Sequence, residues 1–586
     1  MAAGLGEKRT QSLPRAELQR LLAVARGDQP ADLLFRNVRI LDLVNGECKK
    51  SAVSISAAYI AGTGMEYADA DARVTVDGHD RVVTPGFIDA HLHVESSMMQ
   101  PFEFERLTLP LGTTTAICDP HEITNVMGDA GYQWFLRCAE KMHQNLFVQT
   151  SSCVPALPGF ETNGGEYALK DMLAHQDHPN VLGLAEMMNF PGVINGDEAV
   201  LDKLAAYQGM NIDGHCPLLQ GKPLNAYIAA GVQNCHETIG VDEGAEKLAK
   251  GMALIIREGS VAKNLTTLAP LVTEFNSEQC LLCTDDRNPY EIFNEGHIDY
   301  LVRRLIGESH VPAHVAYRLA TFSAAQHFGL QRLGLIAPVR RADLILLDDL
   351  EKVAIHKVFC AGQDVDYLQL DQQVAAKLRA SKPPESNTIL RSPMSASDFE
   401  YDLQAGRYNV IGIIEHEIIT QHLKLAFDGM QFDAPDVLRI ANIERYGHGL
   451  PPALGLVKGT GMQRGAIAAS VAHDSHNLIV IGADPTSMAC AVNALIDCAG
   501  GICVVDNGQV SALLKLPIAG LMSAEPAARI SARVADLKSA YRKLGGTLAE
   551  PFLQMAFLAL PVIPSLKLTD RGLVDVTRFE FIDLRA

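Results

Sequence analysis

The sequence predicts an α/β protein: a TIM-type (β/α)8 barrel, a small antiparallel β unit flanking it, and an additional α+β domain at the C-terminal end. Three observations predict it. From Pro85 onward, apolar runs of strand length alternate with longer helical patterns, the sign of repeated βα units and a parallel sheet. Eight such runs can be counted, the number that closes a barrel. Residues of metal-ligand type gather at the ends of those runs, where barrels of this kind keep their chemistry.

Taken in order, the chain opens with a charged helical segment at 14–26. Short alternating segments follow from Asp32, Ala52, Tyr59 and Arg73, read as strands of the antiparallel unit. The eight barrel runs lie at 86–91, 113–118, 146–150, 181–185, 211–214, 232–235, 253–256 and 281–284. After Pro338, runs at 342–348 and 355–362 are short strands again and complete the antiparallel unit begun before the barrel. Residues 381–386, rich in Lys, Pro and Ser, read as a linker. Beyond them a separate domain is expected, with strands at 410–414 and 478–481 and a helix at 485–499. The expected organisation is thus an N-terminal helical segment at 1–31, the β unit at 32–84 plus 338–380, the barrel at 85–337, and the last domain at 394–586.

A chain of 586 residues is too long for one core and leaves ample room for a barrel of about 250 residues. Its formal charge of -19 offers no basic excess to neutralise phosphates or an anionic membrane, so neither nucleic acid nor membrane is an expected partner. A small neutral substrate fits better. The first 29 residues carry charges throughout, and no run of about 18 apolar residues occurs, so no leader or membrane span is expected. Twelve cysteines are scattered without a dense framework; Cys118, Cys216, Cys235 and Cys283 lie in apolar runs or beside ligand-type residues. That usage suits the reducing cytoplasm. A homo-oligomer, a symmetric dimer first, is the expected assembly.

The chemistry is read from the strand ends. Thr84-Pro-Gly-Phe-Ile-Asp-Ala-His-Leu-His93 ends an apolar run with two histidines one residue apart, and alternate side chains of a strand share a face. His91 and His93 can therefore grip one metal ion. Glu186 follows strand four, His215 strand five, His236 strand six and Asp285 strand eight. Four imidazoles with a carboxylate able to bridge suffice for two ions, and this donor set suits manganese, iron or zinc. Such a pair of cations lowers the pKa of a shared water. Asp285, at the end of the last strand, is the expected general base; in the alternative reading Asp285 is only a ligand and Asp286 a helix N-cap.

From about Asp32 to Val365 the chain resembles the amidohydrolase superfamily. Within it, Pro85-Gly-Phe-Ile-Asp-Ala-His-Leu-His-Val-Glu-Ser-Ser-Met, Cys118-Asp-Pro-His-Glu-Ile, Asp213-Gly-His-Cys-Pro and Cys283-Thr-Asp-Asp-Arg look like the adenine deaminase family. The last domain, with Ala472-His-Asp-Ser-His-Asn, is similar to that family's additional domain. The resemblance implies a distorted barrel beside a small β-sandwich, a binuclear centre often holding manganese or iron, and hydrolysis of adenine to hypoxanthine and ammonia in purine salvage. Many cyclic-amide hydrolases of the superfamily bridge their metals with a carboxylated lysine on strand four; here that strand offers Glu186 and no lysine.

Glu95, two residues beyond the His-x-His pair, is expected to share its inward face and to meet a ring nitrogen of the purine. His121 and Glu122, just past strand two, are further candidates: His121 for steadying hydroxide or the leaving ammonia, Glu122 for substrate contact. His473, Asp474 and His476 have the spacing of another metal site, of a lid over the barrel, or of a turn before a strand. His416 and His422 are expected on the surface. Other readings are a deaminase of N6-substituted adenine and, outside enzymes, a metal-binding scaffold without turnover.

Overall fold

The computed structural model describes residues 13–384 and 387–586. The first twelve residues of the expected N-terminal segment, and residues 385 and 386 of the expected linker, lie outside the described residues. A helix, Arg15–Ala25, buries Leu21 and Val24 on one face, against Tyr59 and Ala61. The chain then forms β1 (Ala31–Asp42), β2 (Glu47–Ser56), β3 (Tyr59–Thr63) and β4 (Ala72–Pro85), and β4 runs on into the barrel.

The barrel strands are β5 (Phe87–Leu92), β6 (Thr113–Cys118), β7 (Asn145–Val148), β8 (Gly183–Met187), β9 (Asn211–Gly214), β10 (Asn234–Cys235), β11 (Ala253–Arg257) and β12 (Cys280–Cys283). They pair in parallel as β5-β6-β7, β8-β9 and β10-β11-β12. Single links join these groups: Thr150 bridges to Leu184, and the Gln233 amide donates to the Ile212 carbonyl at 3.0 Å. The ring closes where the Asp285 amide donates to the His91 carbonyl at 3.1 Å. Gly183 is required at one crowded joint, since a Cβ there would meet the Asn211 carbonyl oxygen at 1.9 Å. Two of the shifts from expectation bear on the site. Strand six shortens to two residues, and strand four extends through Met187, so Glu186 lies within it rather than after it.

After the barrel, β13 (Leu344–Asp349), β14 (Ala354–Cys360) and β15 (Gln363–Asp364) join the first strands in one sheet, ordered β15-β14-β13-β4-β1-β2-β3. In a flat sheet β1 and β14 would stand three spacings of about 4.8 Å apart. Instead Phe35 on β1 and Phe359 on β14 meet edge to face with ring centroids 4.8 Å apart. The sheet therefore folds over itself as a small sandwich around Phe35, Ile55, Val83, Leu344 and Phe359. Phe359→Ala is expected to cost about 3–5 kcal/mol by opening a cavity there. Urea unfolding should show the loss, with the metal content of the folded protein unchanged, because this core does not touch the barrel mouth.

The C-terminal part is an eight-stranded sheet made of β16 (Gly406–Ile413), β17 (Thr420–Phe427), β18 (Val437–Ile443), β19 (Ala453–Lys458), β20 (Ala466–Ala469), β21 (Leu478–Gly482), β22 (Gly501–Asp506) and β23 (Gln509–Lys515). Alternate residues face opposite sides. Leu478 and Val480 pack under the helix Pro485–Asp497. Ile479 and Ile481 belong to a second cluster with the helix Ala527–Lys543, and that cluster continues without a break into Leu92, Met99 and Phe102 of the barrel. The two parts thus share one core over the barrel mouth. Among the described residues no helix is long and apolar enough to cross a membrane, and all twelve cysteines are free thiols.

Candidate active site

Glu186 is the centre of the site. It is buried at the carboxyl end of β8, and its two oxygens face different imidazoles. Oε1 lies 3.8 Å from His91 Nε2, 3.4 Å from His93 Nε2 and 3.3 Å from His121 Nδ1. Oε2 lies 2.6 Å from His215 Nδ1 and 3.2 Å from His236 Nε2. Burial alone would raise its pKa, but His215 and His236 hold the carboxyl well below the usual range, so it is a carboxylate.

Asp285 completes the ring. Its Oδ1 stands 3.2 Å from His93 Nε2 and 3.6 Å from His91 Nε2, while Oδ2 accepts from Arg257 Nη1 at 2.9 Å. Burial pushes its pKa up, yet Arg257 and His93 hold it well below the usual carboxylate range. Arg257 also forks onto Glu237, whose Oε1 is 3.9 Å from His215 and 3.7 Å from His236. His91, His93, Glu186, His215, His236 and Asp285, predicted from separate strand ends, are thus brought together.

The donor set fits divalent cations. His93 Nδ1 lies 2.9 Å from the Asp119 carbonyl, an acceptor only, so this nitrogen carries a hydrogen and Nε2 is the one left to face Glu186 and a cation. Glu186 Oε1 is buried without a hydrogen bond among three imidazole nitrogens. Lone pairs and anionic oxygens converging in a space closed to water call for positive charge. The three-residue groupings His91–His93–Glu186, His91–His236–Asp285 and Glu186–His215–His236 each bring ligand atoms within 4.8 Å of one another, and the first and last share Glu186, a carboxylate with an oxygen for each of two adjacent ions.

Outside this ring lies a second layer of polar groups. Glu95 is buried, but by a route other than strand parity: the strand ends at Leu92 and Glu95 opens a short 3-10 turn, Glu95–Ser97. Its Oε1 accepts from the Ile123 amide at 3.1 Å, Oε2 has no partner, and burial with the nearby Glu122 pushes its pKa up to about 8. Glu122 Oε1 lies 2.9 Å from Ser96 Oγ. Ser96 Oγ also lies against Asp286 Oδ1, so its single hydrogen serves one of the two carboxyl groups. Asp286 is not a helix N-cap; Asn288 caps the helix Pro289–Glu295, accepting from the Glu291 amide at 3.0 Å. His121 opens the helix His121–Met127, with Nδ1 3.0 Å from Asp119 Oδ2 and Nε2 3.5 Å from Asp474 Oδ1.

Asp474 comes from the C-terminal domain, in the turn before β21, with His473 and His476. All three are buried. His473 Nδ1 lies 3.5 Å from Glu122 Oε1. Of the two histidines expected on the surface, His416 is exposed, but His422 is half-buried on β17 and pairs with Asn409 Oδ1 at 2.8 Å.

Asp119, Glu237 and Arg257 were not expected in the site. Each carried a signal: Asp119 and Arg257 are charged residues ending barrel strands two and seven, and Glu237 directly follows His236. Their pairing across strands is what the sequence does not display.

The amidohydrolase family model matches residues 82–365, and that of the adenine deaminase C-terminal domain matches residues 417–580. Adenine deaminase of Bdellovibrio bacteriovorus is 61% identical over 581 residues, covering 99% of either chain. That of Edwardsiella ictaluri is 58% identical over 579 residues, covering 99% of this chain and 98% of its own. An Escherichia coli adenine deaminase is 55% identical over 573 residues, covering 98% of this chain and 97% of its own.

Proposed function

Since the chain belongs to the adenine deaminase family of amidohydrolases and hydrolyses adenine to hypoxanthine and ammonia, we propose how its own residues carry that reaction. His91, His93 and Asp285 would hold one divalent cation, His215 and His236 the other, with Glu186 between them. When bound, the pair polarises a water that becomes the nucleophile at neutral pH. The observation that carries this reading is the division of the Glu186 oxygens between two sets of imidazoles.

Asp285 is the general base. Its Oδ1 faces the site while Arg257 fixes Oδ2, so it takes the proton of the attacking water and delivers it to the departing amino group. Arg257 keeps this carboxylate ionised in the resting enzyme. Glu95, with its pKa near 8, is protonated at neutral pH and donates to the ring nitrogen beside C6, where attack places electron density. His121, held between Asp119 and Asp474, steadies the leaving ammonia, and Glu122 borders the ring.

Manganese or iron is our assignment for the pair, with zinc as the alternative, because imidazole and carboxylate donors suit all three and supply decides among them. We place the protein in the cytoplasm, where twelve free thiols persist, and assign it a dimeric state that light scattering would test. The activity is tested by metal analysis together with ammonia release from adenine and from N6-methyladenine: adenine should be the faster substrate, and preference for the methylated base would reassign the pocket. Glu95→Gln should depress turnover of adenine, by about 10²-fold if its acid role is lost, while metal content stays near wild type. Unaltered kinetics would remove Glu95 from the mechanism.

A further inference from the structure

The buried polar groups beyond the metal ligands have a feature that the reaction at C6 does not use. On the side of the C-terminal domain, polar atoms without a hydrogen bond converge from both parts of the chain: Glu122 Oε2 from the barrel, and Asp474 Oδ2, His473 Nε2 and His476 Nε2 from the turn at 472–477, while Asp474 Oδ1 has only ion-pair contacts of 3.5 Å to His121 Nε2 and His473 Nδ1. All belong to side chains at least nine-tenths buried. Leaving so many donors and acceptors without hydrogen bonds is costly, so the group is built for a ligand.

The ligand is organic rather than a cation, although Glu122, His473 and His476 bring ligand atoms close enough for one. The Ala472 amide donates to His476 Nδ1 at 3.2 Å. A neutral imidazole whose Nδ1 accepts carries its hydrogen on Nε2 and offers an N–H there, which no metal takes. Donors and acceptors are therefore interleaved, as the edge of a nitrogen heterocycle requires. The position fits as well. His121 touches Glu186 with one nitrogen and Asp474 with the other, so a single imidazole spans from the metal ligands to the turn. A bicyclic base with its C6 beside the metal ligands would bring its five-membered ring to the side of Asp474.

The turn is a rigid wall. Ser475 Oγ donates to Glu161 at 2.6 Å, and Asn477 Nδ2 donates to the Thr162 carbonyl at 2.9 Å, both on a barrel loop. The His473 amide donates to the Ala556 carbonyl at 3.1 Å, and its ring stacks on Phe557 at 4.5 Å. Lys567 Nζ in turn holds the Phe557 carbonyl at 2.8 Å.

Resting on the deaminase reading above, we propose that the 472–477 turn of the C-terminal domain receives the imidazole edge of the purine, Asp474 accepting the ring N–H that only a free base possesses and His473 donating to a neighbouring ring nitrogen. Asp474 and His473 are thereby specificity-determining residues, and the added domain restricts the barrel to free bases. A nucleoside has carbon where that N–H would be. It loses the hydrogen bond.

The test is equilibrium binding of two probes that carry no leaving group at C6, purine and 9-methylpurine, to the fully metallated enzyme. Wild type should prefer purine by about ten-fold or more, the worth of a hydrogen bond to a charged group. Asp474→Ala should bring that ratio close to one with metal content unchanged. Should Asp474→Ala fold poorly, His473→Gln serves as the second variant, and it should weaken both probes together. If Asp474 only positions His121, its variant would lower kcat while the purine to 9-methylpurine ratio stays at the wild-type value, and that result overturns the proposal. An unchanged affinity for both probes in His473→Gln would overturn it too. A wild type that binds purine selectively yet releases no ammonia from adenine would instead overturn the reaction assigned to the site, so the two failures are distinguishable.

Discussion

Asp285→Asn is expected to keep its cations and lose turnover by 10²–10⁴-fold, the usual contribution of a general acid-base. The amide still offers an oxygen, and His91, His93 and Glu186 remain around it. What it cannot do is hold a proton between the attacking water and the leaving nitrogen. Arg257 sharpens the expectation, because its Nη1 lies 2.9 Å from Asp285 Oδ2 and fixes the carboxylate in one orientation, with Oδ1 toward the imidazoles. Metal analysis and steady-state ammonia release on one preparation check both halves. Wild-type turnover in the variant would leave the proton transfer without an agent.

Glu186→Gln is expected to fail earlier, at metal loading. Two cations side by side repel each other, and a carboxylate with one oxygen toward each offsets that repulsion. The amide removes the charge and turns an NH2 group toward one of the two imidazole sets, His91 and His93 or His215 and His236. At least one of the two ions should be lost after identical reconstitution, and adenine turnover with it. Equal metal content in the two proteins would show that Glu186 does not bridge.

Most of this site was legible in the sequence because barrel geometry converts order along the chain into position in space. A residue at the end of any strand in a closed parallel barrel faces the same mouth, so His91, His215, His236 and Asp285 needed only a correct strand count to be gathered. Glu186 survived an error of two residues in its strand boundary, since strand ends still bound the mouth. Parity along a strand is a weaker guide. It fails where the strand fails, as at Leu92, and Glu95 reaches the interior through a 3-10 turn instead. The alternative reading of Asp286 as a helix cap fails, because the cap is Asn288. The ion pairs of Arg257 with Glu237 and Asp285, and of His121 with Asp474, join residues remote in sequence. No period or motif announces a pairing of that kind; it follows only from which strands and which domain come to lie side by side.

The most direct test of a two-cation centre around Glu186 is stepwise addition of Mn2+ to the metal-free enzyme, with ammonia release from adenine measured at each addition. Activity should rise until two equivalents per chain are bound and then stay level. A plateau at one equivalent, or ammonia release that does not depend on added metal, would contradict the account.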